Sequence, residues 1–129
     1  MKVWPELLFS ILLIAGGCAT NYQSKNIFGF GFSEIKTNTD SFIVSFKGNG
    51  YSDSEKVMKY ALRRAAELTL GNGFKYFCLV SSMDKSEFVS SNGTLTRRPA
   101  MSIQIKCSSE KTNNPQEVDA EYFLAHNVE

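Results

Sequence analysis

From Ser41 to Lys47 the chain alternates, with Phe42, Val44 and Phe46 on one side and Ile43, Ser45 and Lys47 on the other. Period-two alternation predicts a half-buried strand whose Phe/Val face enters the core. A preceding run over 32–37, separated by the turn residues Thr37 to Asp40, predicts a first strand paired with it. Then the period changes. Val57, Tyr60, Ala61, Arg64, Ala65 and Leu68 recur at helical spacing, so a helix is expected from Ser54 to about Leu70. Ser52 with Glu55 reads as a capping box, and Asp53 complements the helix dipole. The triplet Gly71-Asn72-Gly73 supplies a left-handed stop.

Beyond the helix, FKYFCLVSS (74–82) is a strongly β segment, and PAMSIQIKC (99–107) places Met101, Ile103, Ile105 and Cys107 on one face. Between them Asn92-Gly93 is a strong hairpin signal. With those two as the turn, Ser91 opposes Thr94. Continued without a bulge, the same register sets Cys78 opposite Cys107 in a non-hydrogen-bonded pair, where Cα atoms come within disulfide range. A Cys78–Cys107 disulfide is therefore expected, closing a loop of about 30 residues and contributing roughly 3–4 kcal/mol. The alternative is two reduced, buried thiols, the outcome if one bulge near Met83 to Ser86 breaks the register. In the tail, Asn114, Pro115 and Glu117 predict a second short helix, with Val118, Tyr122 and Ala125 covering Phe77 and Leu79; otherwise the tail frays. Together these elements predict an α+β fold: a small antiparallel sheet, β-β-α-β-β, with one main helix on one face.

The first seventeen residues do not fit that pattern. Lys2 and the α-amine are followed by the apolar run LLFSILLI (7–14), then Ala15, Gly16, Gly17 and Cys18. Positive start, short apolar core and small residues, in that order, read as a secretory signal peptide, and the run is too short to span a bilayer. The small residues before the cysteine resemble the lipobox of bacterial lipoproteins. That resemblance implies cleavage before Cys18, acylation (including palmitate) of its thiol and new amino terminus, and attachment to the membrane. The alternative is an ordinary secreted protein with Cys18 incidental. Ala19 stands where Asp would resemble an inner-membrane retention signal, so the expected location is the inner leaflet of the outer membrane, facing the periplasm. The domain reading is signal peptide 1–17, polar tether 18–27, and a single domain 28–129.

Charge and composition narrow the function classes. Fourteen Lys and Arg against thirteen Asp and Glu leave a net charge of +1, with no basic footprint for nucleic acid. The only histidine, His126, is the fourth residue from the end, away from any nucleophile that spacing would pair with it. Neither CxxC nor HxxxH occurs, so no metal or cofactor is expected. The GxG within FGFGF (28–32) lacks a following helix and is no phosphate loop; its alternation suits an extended entry into the sheet. An enzyme is thus the least supported class. A module acting through protein contacts is favoured, with a purely structural envelope component as the alternative. Arg64, on the apolar stripe, reads as snorkelling or paired with a carboxylate, or else as a charged contact in a partner groove. Arg97 and Arg98, near the hairpin base, are further partner-contact candidates beside the reading of an ordinary solvated loop. No small-molecule substrate is evident.

One resemblance spans more of the chain. GFS (31–33), FKGNGYS (46–52), YALRRAAELTL (60–70) and GFKYF (73–77) are similar to an uncharacterised family of small proteobacterial lipoproteins. The resemblance implies a lipid-anchored envelope protein and carries over no catalytic or ligand-binding residue.

Overall fold

A computed structural model describes residues 19–127. The expected signal peptide and Cys18 lie outside the described residues. The fold is α+β: a five-stranded antiparallel sheet with one main helix, plus a short C-terminal helix. Strands β1 (Gly31–Asn38) and β2 (Ser41–Lys47) form a hairpin. Helix α1 (Ser54–Gly71) crosses over to β3 (Tyr76–Asp84), which leads through β4 (Glu87–Ser91) and β5 (Thr94–Arg98) into β6 (Ala100–Ser108). A three-residue β7 (Glu117–Asp119) and helix α2 (Ala120–Asn127) close the chain. The sheet order is β1-β2-β6-β3-β7. β6 therefore inserts between β2 and β3, and α1 passes over it.

The alternation in β2 lands as expected. Phe42, Val44 and Phe46 are buried, and from β6 Ile103, Ile105 and Cys107 join them. From α1, Val57, Ala61, Ala65, Ala66 and Thr69 complete the layer. Alanines on the helix let it lie close to the sheet, so the large side chains of the core come from the strands. Thr69 is fully buried and satisfied, its hydroxyl donating to the Ala65 carbonyl at 2.8 Å.

The helix ends show one correction and one agreement. The N-cap is Asp53, whose carboxylate accepts from Glu55 N–H at 2.9 Å. Ser52 does not cap; its hydroxyl accepts instead from the N–H groups of Asn49 and Thr20, each at 3.1 Å. At the other end Phe74 N–H reaches the Thr69 carbonyl and Gly73 N–H the Leu70 carbonyl, around Gly73 at φ 87°. That pair of bonds is a Schellman stop.

The β3–β6 ladder corrects the cysteine pairing. Near the turn the expected register holds: Ser91 opposes Thr94, Glu87 opposes Arg98, and Asp84 opposes Met101. It persists to Ser81 opposite Gln104, where Val80 bulges out. From there Leu79 opposes Ile105, Cys78 opposes Lys106 and Phe77 opposes Cys107. The one-residue shift turns Cys78 to the open face while Cys107 stays in the core. The expected disulfide does not form; both cysteines are free. The reason is packing, because the bulge brings Phe77 and Leu79 to the core in place of Cys78 and Val80. Phe77 is fully buried and Leu79 partly buried against the core. Full burial of one large apolar side chain contributes about 1.5–3 kcal/mol, so the pair is of the same order as a disulfide of roughly 3–4 kcal/mol.

The tail also differs from expectation. Residues 117–119 pair with Tyr76–Cys78 as an edge strand, and the helix begins at Ala120, capped by Asp119, which accepts from Tyr122 N–H at 3.1 Å. Asn114 makes a local turn, accepting from Gln116 N–H. Helix α2 packs on α1, with Ala120 fully buried and Phe123 and Leu124 against the core. It does not cover the open sheet face, and Phe77, fully buried, points toward α1.

Candidate functional site

Residues 19–30, expected as a tether followed by an extended entry, are fastened to the domain. Thr20 N–H donates to Ser52 Oγ at 3.1 Å, and Thr20 Oγ1 accepts from Asn49 N–H at 2.9 Å. Phe32 N–H donates to the Gln23 carbonyl at 2.7 Å, and Lys25 N–H to that of Phe32 at 2.9 Å. This crossing needs Gly31, at φ 122°: a Cβ there would lie 2.5 Å from the Gln23 carbonyl oxygen and 2.6 Å from that of Ser24. The chain then turns at residues 27–29, where Asn26 Oδ1 accepts from the N–H groups of Phe28 and Phe30.

Tyr22 is the centre of the fastening. Its ring stands 5.0 Å from Phe32, 5.5 Å edge-on to Tyr60 and 6.4 Å in a stack with Phe46. The Arg63 guanidinium lies over it at 3.9 Å, and its hydroxyl donates to Glu67. Burial, then the bond to Glu67, push the phenol pKa well above its usual range. One aromatic within the polar stretch TNYQSKN is the only sequence signal of this contact.

Arg64 belongs to the same cluster. It donates to Glu34 across the layers at 3.0 and 3.2 Å, and to Glu67 at 3.3 Å, with its guanidinium 4.4 Å from the Phe32 ring. The hydrogen bonds to Glu34, set against burial, hold its pKa above the usual value. The carboxylate-paired reading of Arg64 is the one the geometry matches.

The hairpin arginines divide. Arg97 reaches the Ser54 hydroxyl at the start of α1, Asp84 at 3.2 Å and Ser86 Oγ at 3.1 Å, pinning the hairpin against the helix end. Bonds from Ser86 and the nearby Arg97 lower the Asp84 pKa. Arg98 has its guanidinium 5.6 Å from the Phe30 ring, on the wall of an open cleft of about 450 Å³ formed with Tyr51, Val89 and Thr96. Thr96 packs so close to Gly50 that a Cβ there would clash.

Cys78 is half-buried between Lys106 and Glu117, and burial followed by the Glu117 charge raises its pKa. Cys107 is 2% exposed, 3.4 Å from the Thr69 hydroxyl, its pKa raised first by burial. The two thiols therefore neither meet nor ionise readily. His126 stacks on Tyr122 at 3.9 Å and bonds the Tyr122 carbonyl through Nδ1. Among the described residues, no three His, Cys, Asp or Glu side chains are grouped to hold a metal, and no helix is long and apolar enough to cross a membrane.

No protein-family model, curated protein or solved structure matches this chain. What distinguishes the chain is thus its geometry: a fastened N-terminal segment and, at the same end of the sheet, the loop and hairpin beside it.

Proposed function

We propose that the chain is a lipid-anchored envelope protein, acylated on Cys18, facing the periplasm from the outer membrane and acting through protein contacts rather than catalysis. One observation carries the reading: a charged start, short apolar core and small residues run directly into Cys18, two residues before the folded domain begins. Several acyl chains, each CH₂ contributing about 0.8 kcal/mol, would make the attachment effectively permanent.

The contact surface follows from what the fold has already used. Arg64 and Arg97 serve internal ion pairs, and Arg98 lies against the Phe30 ring beside Tyr51, so the three arginine candidates do not converge on one protein-contact surface. In β1, residues 34–38 have no strand neighbour on their outer side among the described residues. An extended partner segment can add there by main-chain hydrogen bonds.

The anchoring is tested by labelling cells with an alkyne fatty acid and weighing the mature protein. Acyl mass on the Cys18 peptide, lost with its membrane fraction in Cys18→Ser, is the expected result; a cleaved protein with a free Cys18 thiol refutes it. Envelope crosslinking then separates the classes. A single stoichiometric protein partner supports the contact role, and recovery only with peptidoglycan or bulk membrane favours a structural component.

A further inference from the structure

The acylation site proposed above has a consequence for how the domain stands on its membrane. Thr20 is bonded to the loop between β2 and α1 through both its N–H and its hydroxyl. Cys18 is two residues away, so its Cα can lie at most about 7 Å from that of Thr20. No free tether intervenes, and acyl chains entering a bilayer would draw this loop into the headgroup layer.

The surface at that end is suited to it. Gly31 of β1, Lys47 of β2 and Ala100 of β6 lie side by side, so β1 and β6 start and β2 ends at one edge of the two layers. The loop of residues 48–53, the turn of residues 27–29 and the β4–β5 hairpin all leave from this end. Half of the exposed large hydrophobic side chains in the described chain stand on them: Ile27, Phe28, Tyr51, Phe88 and Leu95. Ile27 is 93% exposed and Phe28 74%. A water-facing turn gains nothing from such residues, whereas an interface gains from burying them. Arg98, beside Tyr51 and Phe30, adds a phosphate-matching guanidinium next to an aromatic, the residue pairing suited to headgroup depth.

We propose that this end of the domain docks directly on the phospholipid surface, with Ile27, Phe28 and Tyr51 entering the interface and Arg98 meeting lipid phosphate. The inference rests on the Cys18 anchor and goes beyond it: the anchor brings this end of the domain to the bilayer, but by itself it neither inserts these side chains nor fixes the tilt of the sheet. Docking fixes its orientation and turns the far end of the sheet toward the periplasm.

The chain carries a single tryptophan, Trp4, which lies ahead of Cys18, so the mature protein offers a background free of tryptophan. Tyr51→Trp reports the docked end. Leu70→Trp, 37% exposed at the far end of α1, reports a point about 25 Å away along the helix axis. The full mature lipoprotein carrying each probe is reconstituted in phosphatidylethanolamine and phosphatidylglycerol vesicles, with and without brominated acyl chains. The Tyr51→Trp emission should shift to the blue and be lost to bromine quenching, while Leu70→Trp keeps its emission. Adding Arg98→Glu should restore part of the Tyr51→Trp signal. Acylated protein that floats with vesicles but shows neither quenching nor shift at position 51 overturns docking and leaves the anchor intact. Protein without acyl mass that fails to float overturns both. If position 51 is shielded only by a co-purified protein and not by lipid, the face is a protein interface and the proposal is wrong.

Discussion

The long hairpin that runs out through β3 and β4 and back through β5 and β6 has two halves that obey different masters. From Ser91 and Thr94 down to Ser81 and Gln104, the register is the one a two-residue Asn-Gly turn dictates. Beyond Val80, from Leu79 to Tyr76, it is the one the core demands, because Phe77 is fully buried there with Cys107 and Ile105. Turn chemistry acts over the residues it touches, and its register propagates only until a larger energy opposes it. The bulge at Val80, 57% exposed, is where the two settle.

The contrast predicts very unequal costs for the same substitution in the two halves. Phe77→Ala removes a buried ring from the packed half and should destabilise by about 3–5 kcal/mol. Phe88→Ala, on a hairpin side chain 65% exposed, should change stability by no more than about 0.5 kcal/mol. Chemical denaturation of the two variants compares them directly. Similar costs at the two positions would mean that the hairpin half is packed as firmly as the core half.

A smaller effect extends the comparison to the N-terminal segment, which depends on the packed half through Tyr22. Tyr22→Phe keeps the ring among Phe32, Phe46 and Tyr60 but loses the bond to Glu67, at a cost of about 1 kcal/mol. The pH dependence has a definite sign. The phenol pKa is raised in the fold, so the folded state favours the neutral form. That contribution is fully present below the unfolded value near pH ~10 and is lost as pH rises above it. Wild type should therefore lose stability from about pH 10 upward more steeply than Tyr22→Phe. Parallel alkaline curves would show that the phenol titrates alike in the folded and unfolded chain, and so that neither its burial nor its bond to Glu67 holds the proton.

How much of this was legible follows from the range of each signal. The α1 stripe, the β2 alternation and the Gly73 stop are local, and the sequence marks each within a turn or a strand. Strand order is not local: β6 enters between β2 and β3 because α1 must cover both, and no motif encodes that. The disulfide expectation failed at one residue, since a bulge has no signature in VSS beyond ordinary β residues. The tether expectation failed because the polar composition of residues 19–27 conceals the one ring that docks. Arg64 was marked by its place on the stripe, but its partner Glu34 lies across the layers and becomes visible only once β1 pairs with β2.

The smallest expected effect is also the sharpest check on the bulge. With Cys18 acylated or replaced by Ser, a disulfide-bonded domain would show no thiol under native conditions and would lose stability in reductant. The shifted register requires otherwise. Cys78 stands half-buried on the open face, its ionisation held back by burial and Glu117, so alkylation at mildly alkaline pH should label it slowly. Cys107, 2% exposed against Thr69, should label only as the domain unfolds. The native protein should then gain one label and the unfolded protein two, while reductant leaves the melting temperature unchanged. Two blocked thiols before reduction, or a drop in melting temperature on adding reductant, would mean that the ladder runs unbroken from the turn to Cys107 and that Phe77 does not hold the core.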